Sequence, residues 1–107
     1  MSPSGYTNNI EREINATNHF NKWFKGLKNV VVKRKVLARL DRLKNNNFGD
    51  YKRIDNNLYE LRFFFGSGLR IYYTIRNKHI ILLLIGGDKS SQDNDIKKAK
   101  RILDELE

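Results

Sequence analysis

The chain has 107 residues, with 21 Lys or Arg against 12 Asp or Glu, a formal net charge of +9 and no cysteine. That length supports one domain with a core of its own, and the lack of thiols excludes disulfides and cysteine-based metal sites. The N-terminal MSPSGYTNNIERE has no apolar h-region and the longest aliphatic run, Ile80–Ile85, is too short to span a bilayer, so a cytoplasmic location without a membrane partner is expected.

The first predicted element is a strand over Thr7–Asn15, where Ile10, Arg12 and Ile14 alternate with Glu11 and Glu13. Thr17 or Asn18 then caps a helix whose Phe20, Trp23, Phe24 and Leu27 recur at helical spacing and read as core. A second helix fits Val30–Asn45, with Val32, Val36, Leu40 and Leu43 on one face and Lys35, Arg39 and Arg42 on another. The short Lys28-Asn29 link suggests a two-helix hairpin. Between Lys22 and Arg53 lie eleven Lys or Arg and two acids, a surplus equal to the net charge of the whole chain. Positive charge concentrated in this way favours a polyanionic partner, because neutralising phosphates releases counterions.

After the breaker cluster at 45–50, three turns divide the chain into a meander. Strands are expected at Tyr51–Ile54, Leu58–Phe65, Leu69–Arg76 and His79–Ile85, the last apolar on both parities and therefore covered on two faces. In the second strand Tyr59, Leu61, Phe63 and Phe65 share one face, and Glu60, Arg62 and Phe64 the other. In the third, Leu69, Ile71, Tyr73 and Ile75 oppose Arg70, Tyr72, Thr74 and Arg76. Paired as a hairpin, these strands place Arg62 and Arg70 on one open face. Glu60, two residues from Arg62 on the same strand face, reads as a base or as a salt-bridge partner holding that arginine. Two glycines, read as flexible, then lead through Asp88 to Lys89 and an S-x-x-D capping signal, followed by a helix over Gln92–Leu106 that buries Ile96, Ala99, Leu103 and Leu106.

Arginine suits phosphate because its fork is planar, permanently charged and bidentate. Lys89 sits before a helix N-terminus, which also favours anions and eases access to a neutral, proton-accepting lysine. Arg62, Arg70 and Lys89 are therefore the candidate catalytic residues for cleaving a phosphodiester without a metal or other cofactor. Lys35, Arg39, Arg42, Lys52, Arg53, Tyr72 and Arg76 are the candidate RNA-binding surface. His19 and His79 lie in no useful partner motif, and no HExxH, EF-hand, Walker A or GxSxG pattern occurs.

The segments Leu40-Asp41-Arg42-Leu43, Tyr59-Glu60-Leu61-Arg62, Phe65-Gly66-Ser67-Gly68-Leu69-Arg70 and Ile85-Gly86-Gly87-Asp88-Lys89-Ser90-Ser91-Gln92 resemble the RelE/ParE toxin superfamily, more closely its HigB-like addiction module killer group. The likeness runs from about Leu37 to the C-terminus. It implies one α+β domain over 1–107, with an N-terminal strand, a two-helix hairpin, an antiparallel meander and a C-terminal helix. It also implies the toxin of a type II toxin–antitoxin pair, cutting mRNA in the ribosomal A site without a metal. Its partners would be the ribosome, mRNA and a cognate helix-turn-helix, HigA-like antitoxin. RelE-type enzymes often carry a tyrosine or histidine acid/base in the C-terminal segment, and this chain has neither after His79. The alternatives are a ParE-like gyrase inhibitor without hydrolysis and a non-catalytic basic nucleic-acid-binding domain.

Overall fold

The computed structural model describes residues 11–106. Its elements are β1 (Glu13–Ala16), α1 (Asn18–Gly26), α2 (Val30–Lys44), β2 (Tyr51–Asp55), β3 (Leu58–Arg62), β4 (Arg70–Arg76), β5 (Ile80–Gly87) and α3 (Gln92–Leu106), with a 3-10 turn at Lys89–Ser91 before α3. This is the expected α+β order. Of the predicted first strand, the described part forms β1 from Glu13 onward, and the part up to residue 10 lies outside the described residues. One sheet forms in the order β1-β5-β4-β3-β2. The meander β2 to β5 is antiparallel, whereas β1 lies parallel to β5 and turns that strand into an interior one.

Local chemistry accounts for the boundaries. Thr17 caps α1 by accepting from the Phe20 amide at 3.1 Å and donates its hydroxyl to the Leu84 carbonyl at 2.7 Å, tying the helix start to β5. Asn29 caps α2 through the Val31 and Val32 amides. Asn77 and Lys78 both hold positive φ (52° and 67°), the geometry a two-residue hairpin needs between right-twisted strands. The β3–β4 connection is longer than predicted. β3 stops at Arg62, and residues 63–69 form an open loop that turns on Gly66 and Gly68, with φ of 60° and 74°.

Two cores sandwich the sheet. Leu61, Ile71, Tyr73, Ile81 and Leu83 pack beneath Phe20 of α1 and Val36, Leu40 and Leu43 of α2. On the reverse face Leu58, Tyr72, Leu84 and Ile85 pack beneath Ala99 and Ile102 of α3. A bulge at Leu84, between the pairs Tyr72↔Ile85 and Tyr73↔Leu83, lets both Leu84 and Ile85 join the second core. The second core corrects the expectation of an open arginine face. Parity identifies side chains that share a face but not the element that covers them, and α3 covers all but the end carrying Arg62 and Arg70. Within α3, Ile102 is buried and Leu106 exposed, a shift of the predicted stripe by part of a turn.

The Gly86-Gly87 pair is a packing requirement and not a hinge. A Cβ on Gly86 would enter the Trp23 ring, and one on Gly87 would overlap the Asp95 carboxylate. Among the described residues no helix is long and apolar enough to cross a membrane.

Candidate functional site

Arg62, Arg70 and Lys89 line one open cavity of about 440 Å³, bordered also by Phe63, Phe64 and Gly66 to Gly68 of the β3–β4 loop. The sheet register assembles it. Arg62 ends β3 and pairs with Arg70, which begins β4; Arg70 in turn pairs with Gly87 at the end of β5. Lys89 follows two residues later, and its amide donates to the Ser67 carbonyl at 3.3 Å, fastening the last turn to the β3–β4 loop. Gly68 leaves room for the cavity: the position its Cβ would occupy is 3.3 Å from Lys89 Cβ and 3.4 Å from Arg70 Nη1.

Each arginine has its own acid. Arg62 donates through Nε and Nη2 to the two oxygens of Asp50, both at 3.1 Å, and that hydrogen-bonded pair raises its pKa further above the usual guanidinium value. Glu60 is 0% exposed and serves Arg70, not Arg62 as predicted. Its Oε2 lies 3.6 Å from Arg70 Nε and accepts from the Tyr72 hydroxyl at 3.0 Å and from Gln92 Nε2 at 2.8 Å. Arg70 Nη1 donates to the Gly68 carbonyl at 2.8 Å. Among the described residues Lys89 has no acidic partner at ion-pair distance, and it projects from an exposed position.

The predicted RNA surface does not stay together. Lys35 lies 4.7 Å over the Phe65 ring, and with Arg42 it borders a second cavity of about 310 Å³ between α2 and the 63–65 segment. Arg39 lines the same cavity and is also tied to the backbone. Its guanidinium donates to the carbonyls of Arg62 (2.7 Å), Asp50 (2.8 Å) and Phe48 (3.1 Å), and burial lowers its pKa, with repulsion from Arg42 adding to the shift. Tyr72 is also corrected. It is wholly buried under α3, and burial, with Glu60 adding to it, pushes its phenol pKa well above the ordinary value. Arg76 closes β4 about 20 Å from Arg70, given ~3.3 Å per strand residue. Arg53 is tied to the β2–β3 turn through the Asp55 and Asn56 carbonyls, and Lys52 stands exposed on the edge strand outside the cavity lining. Charges close in sequence were dispersed by alternation and by strand length.

Three residues of the site escaped sequence reasoning: Asp50, Gln92 and Phe64. Asp50 and Gln92 are long-range partners that no spacing reveals. Phe64 left a signal, as an aromatic on the arginine parity of its strand. A further cavity of about 580 Å³ lies on the other side of the Lys89 turn, between His19 and Trp23 of α1 and Asp88 and Asp95. Among the described residues no three His, Cys, Asp or Glu side chains gather closely enough to hold a metal ion.

The turn that presents Lys89 is capped by Asp88, ahead of the serine predicted to do so. The Asp88 carboxylate accepts from the Ser90 hydroxyl (2.6 Å), the Ser90 amide (2.9 Å) and the Ser91 amide (3.2 Å), and Ser91 Oγ accepts back from the Asp88 amide. Led by the Ser90 hydroxyl, these bonds hold the Asp88 carboxyl below its ordinary value. A carboxyl depressed by folding contributes stability above its unfolded pKa, about 3.9, and loses it as pH falls through the lower folded value. In thermal melts across pH, Asp88→Asn is expected to lie below wild type at pH 7 and to converge with it in acid, once pH has fallen below the lowered folded-state value. A gap unchanged by pH would show that the carboxylate charge does not hold the turn.

The fold is that of a known toxin. A mutant of the E. coli toxin RelE in the free state superposes with a TM-score of 0.68 at 16% identity, covering 87% of this chain and 99% of that one. In sequence, an uncharacterized protein of Haemophilus influenzae is 45% identical over 94 residues, which are 88% of this chain and 95% of the relative. The profile of the family described as Phage derived protein Gp49-like (DUF891) matches residues 6–107, and the chain belongs to that family.

Proposed function

We propose that this protein is the toxin of a type II toxin–antitoxin pair and cuts mRNA on the ribosome without a metal. The observation that carries this reading is the convergence of Arg62, Arg70 and Lys89 on one cavity. Transesterification of RNA needs charge stabilisation at a pentavalent phosphorus, a base for the 2′-hydroxyl and an aligned backbone. Arg70, held by Glu60 and Gly68, and Arg62, held by Asp50, place fixed positive charge beside the cavity to stabilise the non-bridging oxygens. Lys89 stands at the open rim, where its neutral amine is the form that takes the 2′-hydroxyl proton. Attack of the 2′-oxygen on the adjacent phosphorus forms the cyclic phosphate as the bond to the 5′ oxygen breaks, and that oxygen takes a proton from water and leaves as a 5′-hydroxyl. Arginine does not lose its proton in proteins, so within this cavity Lys89 is the side chain suited to accept one.

The fold resembles that of the E. coli toxin RelE. We extend to this chain a cognate antitoxin of helix-turn-helix, HigA-like type. The test is 5′-end mapping of a reporter mRNA in a reconstituted translation system, with and without ribosomes. The expected result is ribosome-dependent cuts inside codons, leaving 5′-hydroxyl ends. Intact mRNA would overturn the nuclease reading and direct attention to inhibition of gyrase, which the same fold could host without chemistry.

A further inference from the structure

Phe64 is the most exposed large apolar side chain among the described residues, at 85%. Its neighbours are not: Phe63 is buried in the first core, and Phe65 is half-buried with Lys35 above its ring. The loop therefore turns one of three consecutive aromatics outward. Where it points is informative, because Phe64 walls two cavities at once. One is the cavity of Arg62, Arg70 and Lys89, and the other is the basic cavity of Lys35 and Arg42 on α2. The ring is a ridge with cations on both flanks.

Packing gives no reason for this placement, since a phenyl ring in water forgoes the burial that favours its two neighbours. A solvent-exposed aromatic set in a cationic track matches the requirement of a single-stranded nucleic acid. Its phosphates run along the charges while a base stacks on the ring. A protein partner would have to bring acidic groups to both flanks and an apolar pocket between them. A nucleotide chain supplies both features in every repeat.

Resting on the nuclease reading above, we infer that Phe64 is a positioning residue for RNA. It stacks a base next to the scissile phosphate, and Lys35 and Arg42 carry the backbone away across α2. The ring holds the strand in register so that one phosphate, and not its neighbour, enters the arginine cavity.

The experiment is single-turnover cleavage of a short synthetic mRNA programmed on ribosomes, carrying the codon at which wild-type protein cuts. A parallel series replaces each nucleotide of that codon in turn with an abasic one. Phe64→Ala is expected to raise the half-saturating protein concentration by about 5- to 150-fold, the range for loss of one base–aromatic stack. Phe64→Tyr and Phe64→Trp should restore it, because either ring offers a face. One abasic position should cost the wild type a similar factor and cost Phe64→Ala little more, as the two changes remove the same contact. The exposed position makes Phe64→Ala a folded protein, which an unchanged melting temperature verifies. Wild-type cleavage that Phe64→Ala leaves intact would overturn the stacking role and spare the nuclease reading. So would abasic costs that are equal in both proteins, or weakened antitoxin capture with cleavage unaltered. Absence of cleavage by wild type would overturn both.

Discussion

Glu60→Ala is expected to lower folding stability by about 3–5 kcal/mol, the cost of removing one partner from a buried ion pair. For a chain of this size that corresponds to a fall in Tm of more than about 12 °C. The magnitude follows from what the carboxylate serves. Its Oε2 accepts from Tyr72 and Gln92 and faces Arg70, whose side chain is only 14% exposed. Alanine leaves a buried hydroxyl and an amide without their acceptor and a guanidinium without its counter-charge. It also opens a void between β3, β4 and the start of α3. Glu60→Gln separates stability from function. Its amide oxygen can take the Oε2 position and keep the Tyr72 and Gln92 bonds. Its NH2 then occupies the position of Oε1, which is buried without a hydrogen-bond partner among the described residues. The loss of stability should be smaller, whereas Arg70 loses the charge that orients it. We expect a folded Glu60→Gln protein with kcat for mRNA cleavage reduced at least about tenfold and near-normal affinity for ribosomes, as for an interaction that matters in the transition state. Wild-type kcat in folded Glu60→Gln would confine this network to stability.

The network also shows how far the sequence could be read. Alternation in Leu58–Phe65 and Leu69–Arg76 was enough to pair Arg62 with Arg70, and the aliphatic strand ending in Gly-Gly-Asp-Lys brought Lys89 to their side. The meander, the helices and their caps were legible because apolar periodicity and turn chemistry are local properties. What covers a face is not local. Tyr72 shares the arginine parity and so read as surface, yet α3, arriving twenty residues later in the chain, buries it with Glu60. Arg39 sat on a basic helical stripe and read as an RNA contact. Its three carbonyl partners lie in the 48–50 turn and at the end of β3, positions that helical spacing says nothing about. The glycine pair read as flexible because the sequence shows no side chain there. The structure shows Trp23 and Asp95 occupying that space.

Lys89→Ala is expected to reduce the rate of mRNA cleavage by about 10²- to 10⁴-fold, the range for loss of a positioned general base, with Tm unchanged because the side chain is exposed and lacks an acidic partner among the described residues. The informative variant is Lys89→Arg. It keeps the positive charge at the rim and the reach of the side chain, but a guanidinium does not give up its proton in the working pH range. If Lys89 only stabilises the transition state, arginine should recover most of the rate. If Lys89 accepts the 2′-hydroxyl proton, arginine should be as slow as alanine while still binding RNA as tightly as wild type. The second pattern is expected. Arg62 and Arg70 already supply charge to the cavity, each fixed by its own acid, and neither can accept a proton. A third arginine would repeat what they do. Single-turnover rates at saturating ribosomes separate chemistry from binding, and recovery by Lys89→Arg would move the base elsewhere: to the substrate, to the ribosome or to solvent.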